Sequence, residues 1–135
     1  MRKLSVALAS VLAAAGLLTV ALPANAAPAG HPVRCDISAD PPNGPDAFGF
    51  VHYQAKIQCS EPMKRMNGKL SIKGPNGAAR SDEDYNDRAP TQLILSSKIP
   101  YAGKGQYDVT FWGMAFPSPG QDNGLDSSAM NFAVL

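Results

Sequence analysis

The stretch FGFVHYQAKIQC, residues 48–59, decides the fold class. Val51, Tyr53, Ala55, Ile57 and Cys59 fall on one side of an extended chain, with Phe50, His52, Gln54, Lys56 and Gln58 on the other. Successive side chains of extended backbone point to opposite faces, so a period of two with one apolar side marks a half-buried β-strand. The apolar side ends in Cys59, which places that sulfur toward a core.

The flanking sequence repeats this pattern in short runs. Val33–Ser38 reads as a first strand, and ADPPNGPDAFG (39–49), with its prolines and glycines, as a loop. SEPMKRMNG (60–68) reads as a turn, followed by a strand at Lys69–Lys73 with Leu70 and Ile72 inward and a strong turn signal in GPNG (74–77). RSDEDYNDRAP (80–90) reads as a polar excursion with one short edge strand. Thr91–Ile99 and Gln106–Phe116 read as strands, PSPGQDNG (117–124) as a loop, and Ala129–Leu135 as a closing strand with Met130, Phe132 and Val134 on one face. No helical period appears. About six to eight short strands separated by turn signals predict an all-β chain, folded as an Ig-like antiparallel β-sandwich, with a small β-barrel as the alternative.

The amino terminus bears on compartment. Arg2 and Lys3 precede an apolar run from Leu4 to Leu22, and Pro23 is followed by Ala24-Asn25-Ala26. A basic start, an apolar stretch and small residues at a cleavage position predict a signal peptide over 1–26, preferred here to a membrane anchor. The expected product is a secreted, extracellular single domain over 27–135 with a short Pro-containing arm at 27–33. Losing Arg2 and Lys3 takes the net charge from +1 to −1. No basic stripe exists, so nucleic acid and anionic membrane surfaces are poor partners. Cys35 and Cys59 are the only two cysteines. In an oxidising compartment they read as one disulfide, and closing that loop removes about 3.5 kcal/mol of unfolded-state entropy.

With YQAKIQCSEPM, GKLSIKGPNG and GQYDVTFWG in view, the chain resembles the short secreted Ig-like β-sandwich proteins of actinomycetes. Some of these look like adapter subunits of secreted toxin particles, joining a lectin-type subunit to a long stalk. The resemblance implies a β-sandwich and a protein partner. It implies no functional residue, and the second bridge frequent among such proteins is missing.

No catalytic signature is present: neither G-x-S-x-G nor H-E-x-x-H occurs. A bridged cysteine offers no thiolate nucleophile. An enzyme is therefore not expected, and no cofactor is called for. Asp82, Asp84 and Asn86 are spaced like the first ligands of a calcium loop. Asp87 then replaces the required glycine and Leu93 the required glutamate, so no metal site is expected there. The acidic run reads instead as a solvated guard on a sheet edge.

QYDVTFWGMAF (106–116) is the most informative apolar stretch. Tyr107, Val109 and Phe111 share one face; Trp112, Met114 and Phe116 share the other, with Gly113 read as a register break such as a bulge. The bland reading packs Trp112 over the disulfide or under a loop. The functional reading makes Trp112, Met114 and Phe116 an exposed ridge for a partner protein, extended by Phe50 and His52. A carbohydrate-stacking platform is the weaker relative of this reading, since the local sequence offers few Asn or Asp. The arm at 27–33 reads as unstructured or as an extended segment that docks into a partner. Together these features predict a secreted, non-catalytic protein-binding module, an adapter or accessory subunit of an extracellular assembly. The alternative is a secreted inhibitor of a protease or other hydrolase presenting PPNGP or PSPGQDNG.

Overall fold

The computed structural model describes residues 30–135. The predicted signal peptide and residues 27–29 of the arm lie outside the described residues. Nine strands are described: β1 (His31–Pro32), β2 (Cys35–Ala39), β3 (Phe50–Cys59), β4 (Arg65–Lys73), β5 (Ala79–Asn86), β6 (Gln92–Pro100), β7 (Gln106–Phe116), β8 (Gln121–Asp122) and β9 (Leu125–Val134). They form an antiparallel three-stranded sheet, β2-β3-β6, packed on an antiparallel four-stranded sheet, β5-β4-β7-β9, while the short β1 and β8 pair in parallel. The chain is an all-β, Ig-like sandwich. Among the described residues no helix is long and apolar enough to cross a membrane.

The alternation in residues 48–59 does what its period dictates. Val51, Tyr53, Ala55, Ile57 and Cys59 are buried, and they meet Leu93, Leu95 and Ile99 of β6 and Met66, Leu70, Ile72, Tyr107, Val109 and Phe111 of the facing sheet. Tyr107 marks the architecture. Its hydroxyl accepts the Ala102 N–H at 2.8 Å and donates to the Gly103 carbonyl at 2.9 Å, tying the start of β7 to the turn behind it. This is the tyrosine corner of Ig-like sandwiches.

Cys35 and Cys59 are bonded and directly opposite each other in the β2–β3 ladder. The bridge therefore lies within one sheet and fastens the short β2 to the long β3. Cys59 is buried, as its side of the strand requires.

Three local expectations change. Residues 65–68 are strand rather than turn. Met66 and Gly68 continue the inward face of Leu70 and Ile72, so that β4 is nine residues long. The acidic segment forms a full eight-residue edge strand, β5, because β4 offers it a complete antiparallel partner from Met66 to Lys73. Gly113 breaks no register: β4, β7 and β9 pair continuously past it. It lies opposite Gly68. A Cβ at Gly113 would come within 2.9 Å of Ile37 and 3.0 Å of Ile57, and one at Gly68 within 2.7 Å of Phe111. The glycine pair thus makes room for large side chains where the sheets approach.

The arm also finds a place. His31 N–H and Val33 N–H donate to the Gly120 and Asp122 carbonyls, and Val33 is buried. His31 Nε2 meets Glu61 Oε2. Residues 31–33 are thus held against the domain itself.

Candidate functional site

The outward face of the four-stranded sheet is set by register. Lys69 is flanked by Glu83 on β5 and Trp112 on β7, and Trp112 by Ser128 on β9. In the next row Tyr85, Asn67, Met114 and Asp126 lie side by side, and beyond them Arg65 pairs with Phe116. In the other direction Met130, Phe132 and Val134 follow along β9, beside Thr110, Asp108 and Gln106. Of the eight large apolar or aromatic side chains exposed among the described residues, six lie on this face: Tyr85, Trp112, Phe116, Met130, Phe132 and Val134. A soluble monomer rarely gathers its exposed apolar area in this way unless the patch is used.

Trp112 sits near the middle with 43% of its surface exposed. Its indole N–H donates to Asp126 Oδ1 at 3.1 Å, which fixes the ring while leaving it accessible. The Arg65 guanidinium lies 4.8 Å over the Tyr85 ring, and its Nε donates to Asn67 Oδ1 at 2.7 Å. Lys69 Nζ and Glu83 Oε1 are 3.4 Å apart across the β4–β5 pair. Arg65, Asn67, Lys69, Glu83, Tyr85 and Trp112 line a shallow depression of about 280 Å³. The result is a rigid aromatic platform with both charge signs at its rim, the composition found at the centres of protein interfaces.

The ridge Trp112–Met114–Phe116 therefore faces outward, and Trp112 does not pack over the disulfide. Alternation places Tyr107, Val109 and Phe111 in the core, so residues of the opposite parity point away from it, while the bridge belongs to the other sheet. Phe50 and His52 do not extend the ridge. They lie on the outward face of β2-β3-β6, pointing away from Trp112 on the far side of the sandwich. Phe50 lies under the Lys98 ammonium, 4.3 Å from its ring centroid. His52 Nε2 is 2.6 Å from Asp46 Oδ2. Asp46 also accepts the N–H groups of Phe50 and Phe48. The His52 hydrogen bond and these backbone donors hold its carboxyl down at about 2. Both residues thus help to anchor the Pro-rich loop.

The acidic strand is held by its own neighbours. Strand alternation sends Asp82 and Asp84 to the opposite side from Glu83. Arg80 binds Asp82 through Nε at 2.9 Å, and the Tyr53 hydroxyl donates to it at 3.3 Å from the other sheet. Arg80, then Ser97, keep the Asp82 carboxyl below its usual range, and burial pushes the Tyr53 hydroxyl up. No three His, Cys, Asp or Glu side chains converge as a metal would need among the described residues.

Sequence reading missed Arg65, Asn67, Tyr85 and Asp126 because they reach Trp112 only through the pairing of β4, β5 and β9 with β7. The apolar side of residues 130–134 was visible as alternation, but not the side of the sheet it would face. Compared with protein-family models, curated proteins and solved structures, the chain has no match.

Proposed function

We propose that the chain is an exported, non-catalytic protein-binding module, and that the Trp112 end of the four-stranded sheet is its docking surface. The observation that carries this reading is the fixed, half-exposed indole of Trp112 among Arg65, Tyr85, Met114 and Phe116. Tyr and Trp side chains lose little freedom on binding, and Trp, Tyr and Arg supply most of the energy at interface centres. The signal-like residues 1–26 and the Cys35–Cys59 bridge favour an oxidising, extracellular setting. The resemblance to secreted Ig-like adapters makes an accessory subunit of an extracellular assembly, toxin-like in kind, the role that fits best.

Affinity capture from culture medium tests this, using the parent chain and a Trp112→Ser variant of equal melting temperature. The parent should recover a non-enzymatic secreted protein, and the variant should lose it. Equal recovery by both would move the site elsewhere. Recovery of an active hydrolase would favour the inhibitor alternative. A glycan array carries the second reading, because Asn67, Glu83 and Asp126 beside Trp112 supply the polar partners that carbohydrate stacking needs. Trp112-dependent glycan binding without a protein partner would replace the proposal.

A further inference from the structure

The edge of the same sheet supports an inference independent of what the Trp112 end binds. Gly105 and Leu135 exchange both backbone hydrogen bonds at 3.0 Å. In an antiparallel ladder such pairs alternate, so the odd-numbered residues of β9 direct N–H and C=O toward β7. Asp126, Ser128, Met130, Phe132 and Val134 direct theirs away from the sheet, where β9 is the last strand. These same residues carry the exposed side chains: Met130 is 73%, Phe132 58% and Val134 72% exposed. The open backbone edge and the apolar surface therefore coincide.

The other three edges of the two main sheets are guarded in the ways that prevent strand pairing. β5 carries Arg80, Asp82, Glu83 and Asp84. β2 has five residues, including Asp36. β6 carries Lys98, ends in Pro100 and exposes one large apolar side chain, Ile94. β9 has ten residues, no proline and a single charge, Asp126, near its start. Its one local guard is Asn131, whose Oδ1 accepts the Phe132 N–H at 2.9 Å.

We propose that β9 is the seam of a two-fold dimer, in which β9 of a second copy adds antiparallel to it and joins the two four-stranded sheets into one. The strand is its own complement. With the axis at Asn131, Met130 lies opposite Phe132 of the second copy, and Ser128 opposite Val134 of the second copy. Each apolar contact occurs twice. Asp126 falls beyond the paired stretch, so no like charges meet. Ser128, Met130, Phe132 and Val134 gain the backbone partners that the isolated edge lacks, with the incoming strand replacing the Asn131–Phe132 contact.

Sedimentation velocity on the disulfide-bonded protein across a micromolar dilution series, combined with amide hydrogen exchange, tests the seam. The parent should sediment with twice the monomer mass at the upper concentrations, and the Ser128, Met130 and Val134 amides should lose protection on dilution. Phe132→Lys should weaken association by at least about tenfold, since it removes two cross-strand apolar contacts and sets a charge in each. Ser128→Pro, which deletes an outward N–H that the β7 ladder does not use, should do the same. Trp112→Ser should leave the dimer intact. A monomer at all concentrations overturns the proposal. So does a dimer whose edge amides exchange freely, which would be stacked by faces rather than edges. A monomer with protected edge amides overturns it too, assigning the edge to another segment of the same chain.

Discussion

Tyr107→Phe isolates one atom at the junction of fold and turn. The ring is fully buried, packs against Gly74 and lies 6.1 Å from the Tyr101 ring in a near-parallel stack. Phenylalanine keeps all of that and removes only the hydroxyl, which serves Ala102 N–H at 2.8 Å and Gly103 C=O at 2.9 Å. Two hydrogen bonds at about 1 kcal/mol each give a loss near 2 kcal/mol. The upper bound is set by how far the half-buried turn can turn its freed groups to water. For a domain of this size that loss lowers the melting temperature by about 8–15 °C. Urea denaturation followed by tryptophan fluorescence measures it, with Tyr101→Phe as the control, expected within about 0.5 kcal/mol of the parent. If Tyr107→Phe is as stable as the control, the hydroxyl does not hold the corner, and the packing of Tyr107 alone must account for the junction.

Replacing both Cys35 and Cys59 by alanine should cost about 2–5 kcal/mol, read as a large drop in melting temperature. Partner binding should survive at low temperature, because the Trp112 face belongs to the other sheet. Gly113→Ala should destabilise by about 1–3 kcal/mol through collision with Ile37 and Ile57, and a neutral result in thermal melts would show that the inter-sheet gap can widen. Asp46 has a folded-state pKa of about 2, below its ordinary 3.8. Its contribution to stability is therefore complete above 3.8 and is lost as pH falls toward 2. Asp46→Asn should flatten that part of the stability profile, and an Asp46 carboxyl titrating near 3.8 by NMR would contradict the loop geometry.

The sequence by itself determined the fold class, the faces of the clearest strands and the pairing of the cysteines. Each rests on information local to the chain: the period of two in residues 48–59 and 106–116, the Pro and Gly signals between runs, and a cysteine count that admits one bridge. Alternation also set Trp112, Met114 and Phe116 on one face, but a break at Gly113 was open from sequence, and the continuous pairing of β7 with β4 and β9 removed it. Tertiary structure decided which way that face points and what stands beside it. Phe50 and His52 have the same outward parity on β3 as Trp112 has on β7, yet the two strands lie in different sheets and their outward faces are opposed. The polar composition of residues 80–86 suggested only a short edge strand, and they form a full one because β4 supplies backbone partners whose bonds do not depend on side-chain type. Tyr85, Arg65, Asn67 and Asp126 meet Trp112 through cross-strand register, a relation between segments distant in sequence. The exposure of Met130, Phe132 and Val134 follows from the same cause: alternation put them on one side of β9, and only the place of β9 at the end of its sheet, with its core-facing side turned to the other sheet, left that side and the adjoining backbone edge open.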